Sequence, residues 1–333
     1  MKNEILDCFI KTAASGGQKW VAPYAAPADS SLHQFILFLK PEVTCVNEGA
    51  DLGAVLDTVF GALGRFDVKV GAVRVLAGPY LKAHRIMDQH YGVINRISKG
   101  GREALSQAAS SKLWECFGEL IESGAQVLGG HQFLEENPSF SPLALSVLND
   151  NIGTTKLGGG AYAMKLKVLG RPHLLLNPFH AYQLVPYTTD GRGIVVMEGL
   201  SRRPWKELRT DLAGATNPAK AAPGSIRNEL LLRKTALGLP EVDQGLNGIH
   251  LSAGPLEGMV ELIRFFADHE KNQPVTFAQT AFGALLAGRG LKTRDIDELA
   301  ANPVLERDGR KVTAFDLTEE ADAAASAGLL APS

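Results

Sequence analysis

The chain has 333 residues, enough for one large or two modest domains with cores of their own. A hydrophobic content of 45%, a charged content of 21% and a formal net charge of −2 describe an ordinary globular chain with no polyanion-binding footprint, so nucleic acid is not an expected partner. Cys8, Cys45 and Cys116 form no C-x-x-C pair, no apolar run approaches about 18 residues and the first residues show no secretory pattern. The expectation is a reduced cytoplasmic protein with no zinc site, no disulfide framework and no membrane segment.

Residues 1–31 read as an N-terminal arm. Ile5, Phe9 and Ile10 can share one face of a short helix, and Pro23, Pro27 and Ser30-Ser31 mark a linker. Residues 32–40 are a short apolar run rich in β-formers, which predicts a central strand ending at Lys40-Pro41-Glu42. In residues 51–65 the apolar positions Leu52, Val55, Leu56, Val59, Phe60 and Leu63 lie on one helical face, with Asp51 as the N-cap. Residues 68–76 alternate as a second strand, and 79–97 read as helix carrying His90-Tyr91.

Residues 98–176 interrupt this pattern. They hold a helical piece over 104–128, a turn-rich middle with Pro138 and Pro142, and a glycine run at Gly158-Gly159-Gly160. The run lacks the G-x-x-x-x-G-K-[ST] pattern and reads as a flexible turn before a hairpin over 162–176. Asn177-Pro178-Phe179 and Leu184-Val185 follow. A third strand is predicted over 192–197, and a short helix over 204–212 with Trp205 and Leu208 on one face.

Turn chemistry dominates Gly214-Ala215-Thr216-Asn217-Pro218 and Ala222-Pro223-Gly224-Ser225-Ile226-Arg227. The chain then reaches Asn247-Gly248-Ile249-His250-Leu251-Ser252, predicted to re-enter the sheet, and a helix over 255–266 carrying Glu261. The hydroxyl of Thr216, the guanidinium of Arg227 and the carboxamide of Asn247 thus lie on or near loops leading to one histidine. Such donors suit phosphate oxygens, and an imidazole beside them can accept a phosphoryl group. Past His269, helices are predicted over 276–287 and 294–300, then a hairpin over 304–317 turned at Asp308-Gly309.

The wording GATNPAKAAPGSIRNEL followed by NGIHLS resembles the nucleoside diphosphate kinase family, in which G-x-T-N-P…P-G-[ST]-I-R precedes N-x-x-H-[GA]-S-D. Lys40-Pro41-Glu42 resembles the family's Lys-Pro-Asp, with Glu for Asp, and His90-Tyr91 its helix-borne His-Tyr. The resemblance covers roughly residues 32–97 and 177–266. It implies an α+β fold with a ferredoxin-like, four-stranded antiparallel core over 32–97 and 177–268. To this would be added an inserted α/β cap over 98–176 and a C-terminal appendage over 269–333.

It further implies ATP-dependent phosphoryl transfer through phospho-His250. Glu261, eleven residues after His250, and Ser252 would orient the imidazole, and Lys40 would reach the transferred phosphate. Thr216 and Arg227 would hold phosphates, Asn247 the sugar or phosphate end, Phe179 and Leu184 the base, and Tyr91 would flank the histidine. Arg209 approximates a phosphate-contacting arginine, offset by one extra residue before Thr216. Mg²⁺ carried on the phosphates, with no dedicated metal motif, and a homo-oligomer are implied as well. Two departures stand out: Leu251 puts a bulky residue where a small one is usual, beside the nucleophile, and Ala253 removes a carboxylate. The default acceptor is a nucleoside diphosphate. The alternatives are a specialised small-molecule acceptor served by the insert and a non-catalytic nucleotide-binding scaffold.

Overall fold

The computed structural model describes residues 1–307 and 309–331 and divides into two compact units, Met1–His84 with Thr188–Ser333, and Arg85–Tyr187. In the first unit the elements that position the site are α1 (Lys2–Ser15), β1 (Gln18–Ala22), β2 (His33–Leu39), α2 (Leu52–Arg65) and β3 (Lys69–Ala77), then β4 (Gly193–Ser201), α3 (Ile226–Leu232), β5 (Ile249–Leu251) and α4 (Pro255–Phe266). The strands form one sheet in the order β1-β3-β4-β2-β5, with every neighbouring pair antiparallel.

Setting β1 aside, the order is second, third, first, fourth, with helices between the first two and the last two strands. That is the ferredoxin-like arrangement expected for the core. The fifth strand corrects the expectation of four. Residues 1–31 are part of the sheet rather than a loose arm: β1 pairs with the outer edge of β3, and Ile5 and Phe9 of α1 are fully buried in the main core. Ile5 and Phe9 are spaced i, i+4 and share a helix face, whereas Ile10 falls off that stripe and is 52% exposed.

All seven residues of β2 are buried, so the sheet is covered on both faces there. Phe35, Leu37 and Leu39 point into the main core with α1 and α2, while Phe38 packs against Phe265 of α4 on the other face. In α2 the Asp51 side chain accepts a hydrogen bond from Ala54 N at 2.9 Å, the cap its sequence announces. Strand β4 runs past the predicted 192–197 to Ser201 because Glu198, though buried, is satisfied by Gln34 Nε2 at 2.6 Å and Ala72 N at 2.8 Å. The predicted helix over 204–212 is a short turn, Trp205–Glu207, continued by a π-helical turn over Leu208–Ala213.

The C-terminal segment belongs to this unit. Phe282, Leu286, Ile296, Ala314 and Ala327 form a second apolar cluster around Leu256 and Met259 of α4. Helix α4 therefore has apolar cover from the C-terminal segment on its Leu256 and Met259 side, while Phe265 meets Phe38 of the sheet. The predicted terminal hairpin is present as Val304–Arg307 paired with Arg310–Thr313; Asp308, expected at its turn, lies outside the described residues.

The unit Arg85–Tyr187 is wider than the predicted insert over 98–176. The helix predicted over 79–97 is in fact Gly78–Ala83, Ile86–His90 and Gly92–Gly100, interrupted where Arg85 takes a positive φ of 52°. The sheet of this unit runs in the order Gln126–Gly129, Arg171–Leu176, Ala161–Val168, Thr155–Gly158, with only the first pair parallel. Residues 104–128, read as one helical piece, are the Ser106-capped helix Gln107–Glu122 and then the first of these strands. Alternate residues serve two layers, Leu174 and Leu176 facing Leu113 and Phe117, and Leu175 and Met164 facing Phe133 and Leu145. Among the described residues no helix is long and apolar enough to cross a membrane.

Candidate functional site

Alternation along β5 decides what the site contains. Ile249 and Leu251 are fully buried in the main core, so His250 between them faces the opposite side. It sits in register with Phe38 of β2, and the two rings stack at 4.7 Å between centroids with 20° between planes. Leu251, expected to crowd the nucleophile, therefore points away from it into the core.

Helix α4 supplies the carboxylate. Glu257, Glu261 and Phe265 follow one another at i, i+4, i+8, and Phe265 meets Phe38, so this stripe faces the His250 side of the sheet. Glu261 is fully buried, with Oε1 2.7 Å from His250 Nε2. Its Oε2 accepts from Ser252 Oγ at 2.5 Å, and Ser252 Oγ in turn accepts from Ile36 N at 2.9 Å. Two hydrogen bonds thus run from the β2 backbone through Ser252 to Glu261, whose other oxygen closes on one ring nitrogen. The far end of α4 is fixed as well: buried Arg74 of β3 donates from Nη1 to Phe265 O at 2.9 Å and Ala267 O at 2.7 Å, with its guanidinium 4.8 Å from the Trp20 ring centroid.

Cations gather around the imidazole. Lys40 directly follows β2 and donates from Nζ to Asn247 Oδ1 at 2.8 Å. Asn247 donates from Nδ2 to Thr216 O at 3.2 Å and to Gln244 O at 3.1 Å. The carboxamide expected at the sugar or phosphate end joins Lys40 to the 214–218 loop. Thr216 contributes its carbonyl to that joint and stands on the exposed surface. Arg227 of α3 is buried and donates to Gly214 O at 2.6 Å and Ile249 O at 3.1 Å, tying the same loop to β5. Gly214 needs its glycine, since it has a φ of 89° and a Cβ there would lie 2.4 Å from Ser225 Oγ.

Arg209 reaches Leu251 O from Nη1 at 2.7 Å. It stands on the π-helical turn Leu208–Ala213, where hydrogen bonds run from i to i+5.

The electrostatics favour a neutral nucleophile. Burial holds the His250 imidazole below its ordinary 6.5, Glu261 pulls it back up, and Arg209 and Lys40 push it further down. Burial also lowers Lys40, against the pull of Glu42 and with a push from Arg227. Two further carboxylates act here, Glu42 from the Lys40-Pro41-Glu42 run and Glu257, which no motif marks. Glu42 accepts from Gly248 N at 2.9 Å and so fixes the residue before β5. Glu257 accepts from Ala253 N at 3.2 Å, and burial, with the charge of Glu261 beside it, pushes it well above the ordinary carboxylate range. The i, i+4 spacing of Glu257 and Glu261 is the one sequence signal that could have found the latter.

The structure brings together His250, Glu261, Ser252, Lys40, Asn247, Arg227, Arg209 and Thr216 in the first unit. Tyr91, Phe179 and Leu184 belong to the second. There the Tyr91 and Tyr187 hydroxyls lie 3.2 Å apart, and Phe179 packs edge-on against Tyr162 at 5.8 Å.

No known family model matches the chain. It is 34% identical over 104 residues to a nucleoside diphosphate kinase of Roseiflexus sp., covering 31% of this chain and 62% of that protein. It is 41% identical over 95 residues to the nucleoside diphosphate kinase of Archaeoglobus fulgidus, covering 28% and 54%. The chain thus spans about half to three-fifths of the length of these curated relatives. An NDP kinase structure from Pyrobaculum aerophilum superposes with a TM-score of 0.36 at 18% identity, over 73% of this chain and 98% of that one, a likeness too loose to bear on the fold.

Proposed function

From a core that is nucleoside diphosphate kinase-like in the matched segments, we propose that the chain is an ATP-dependent phosphotransferase working through phospho-His250. The reaction proposed first is transfer of a nucleotide γ-phosphate to a nucleoside diphosphate. One observation carries this reading: a neutral histidine has its Nε2 2.7 Å from a buried glutamate that is itself held by Ser252.

With the ring proton on Nε2 and directed at Glu261, Nδ1 is the unprotonated nitrogen and the nucleophile. Its lone pair forms the N–P bond as the bond from the γ-phosphorus to the bridging oxygen breaks and ADP leaves. The positive charge that develops on the ring is met by Glu261. The diphosphate acceptor then attacks the same phosphorus, the N–P bond breaks, and the imidazole returns to its starting tautomer. Lys40, Arg209 and Arg227 neutralise phosphate charge, the main demand of such transfers. The Arg227 and Arg209 forks are already aimed by backbone carbonyls, so little ordering remains on binding.

Mg²⁺ fits as an ion carried by the nucleotide. The carboxylates that act on Lys40, Glu42 and Asp243, are engaged by the amides of Gly248 and of Gly245 and Leu246. When bound, the ion would supply further neutralisation of the phosphates. Phe179 and Leu184 are proposed to hold the base, by stacking that tolerates base identity.

The test is to isolate enzyme labelled from γ-labelled ATP and challenge it with a panel of nucleoside diphosphates and hydroxylated metabolites. Discharge to nucleoside diphosphates is expected. Discharge to a metabolite alone would replace the acceptor, and no label at all would leave the scaffold reading.

A further inference from the structure

The turn that follows His250 is gripped at every residue. Arg209 holds Leu251 O. Ser252 is bonded through its hydroxyl to Glu261, and through its carbonyl to Trp205 Nε1 at 3.2 Å. Ala253 N donates to Glu257 Oε2, and Ala253 O accepts from Glu320 N at 2.9 Å. Gly254 lies under the C-terminal segment so closely that a Cβ would stand 2.3 Å from Thr318 O. Glu319 brings a carboxylate to 3.9 Å from Arg209 Nη2. Glu320 keeps a left-handed φ of 56°, a conformation that costs energy in a non-glycine residue and persists only when its surroundings impose it. None of these grips comes from a side chain at position 253, where the resemblance leads one to expect a carboxylate and the chain has Ala253.

We propose that Glu257 and residues 318–320 are positioning elements of the His250 site, holding from α4 and from the C-terminal segment the turn in which position 253 offers no polar side chain. The inference rests on the phosphohistidine reading above. The C-terminal segment is then a working part of the site rather than an appendage. Glu257 faces Glu261 and Arg264 on its own helix, Arg209 from the π-helical turn, and the Ala253 amide; Glu319 faces Arg209 from the C-terminal segment. Burial and the neighbouring Glu261 raise Glu257 above its ordinary carboxylate range, so a proton is held unusually firmly where the two carboxylates meet. Once that proton is lost a second carboxylate charge stands beside the first, which opposes the approach of a phosphate.

Two readouts test this, one of them independent of phosphoryl transfer. In the full chain without nucleotide, the His250 ring signals followed by NMR should show a step above the ordinary carboxylate range, where Glu257 loses its proton, and Glu257→Gln should abolish it. In single-turnover labelling by ATP, Glu257→Ala and Gly254→Ala should each slow the reaction by about fivefold or more, the worth of one lost hydrogen bond. Gly254 has an ordinary φ of −160°, so its alanine variant tests the contact with Thr318 and not the backbone. Absence of the step, its survival in Glu257→Gln, or wild-type labelling by folded Gly254→Ala would overturn the proposal. Failure of the wild-type chain to label would refute the phosphohistidine reading instead, and the NMR result would then decide the positioning claim by itself.

Discussion

Replacing Glu261 by Gln tests the core of the catalytic argument. The substitution keeps volume and shape in a fully buried position but removes the charge 2.7 Å from His250 Nε2. Glu261 raises the proton affinity of an imidazole that burial, Arg209 and Lys40 depress, so its loss leaves a poorer nucleophile and an unmet positive charge in the transition state. A hydrogen bond to a charged group contributes about 1.5–3 kcal/mol. Spent wholly on the transition state, that is a loss of about 10- to 150-fold in the rate of phosphorylation. Rapid-quench labelling with γ-labelled ATP gives this rate, and equilibrium dialysis gives ATP affinity. The rate should fall while the affinity changes little, since Lys40, Arg209 and Arg227 remain. Labelling at the wild-type rate by Glu261→Gln would show that the contact with His250 is only structural.

Leu251→Ala should destabilise the protein by about 2–5 kcal/mol in denaturant titrations without widening acceptor choice, because Leu251 fills the main core; a broadened acceptor panel would contradict that placement. Arg74→Met leaves Phe265 O and Ala267 O short of a donor and should cost about 2–4 kcal/mol, read as a lowered melting temperature; an unchanged melting temperature would refute the capping role. In the second unit, fully buried His180 bonds Gln183 Oε1 through Nδ1, and burial holds it down to about 4 from 6.5. A depressed histidine stabilises the fold above its unfolded value and loses that contribution as pH falls through the folded one. About 3 kcal/mol should therefore disappear between pH 6.5 and about 4, and His180→Asn should flatten that slope in chemical denaturation.

The elements that the sequence showed clearly are those whose signals are local. Asp51 caps α2 and its apolar stripe packs as spaced, and Pro255 opens α4 at the predicted residue. The buried run of β2 marked it as an inner strand of the sheet. What escaped depends on distant partners. Gln18-Lys19-Trp20-Val21-Ala22 has no alternation to mark it, and it is a strand because the edge of β3 pairs with it. Glu198 broke the apolar pattern of β4, although Gln34 and Ala72 satisfy it in the folded chain.

The site divides in the same way. His250, Ser252 and Glu261 were legible as a spaced set, and the strand-to-helix geometry joins them. The internal roles of Asn247 and Arg227, the face taken by Leu251 and the part played by Glu257 depend on which backbone atoms come near, which spacing does not encode.

The most direct measurement is to incubate the full chain with γ-labelled ATP and Mg²⁺, digest it under alkaline conditions and locate the label by mass spectrometry. The account predicts an acid-labile, base-stable phosphate on the peptide containing His250, absent from a folded His250→Ala variant. Label on another residue, or undiminished label in His250→Ala, would contradict it.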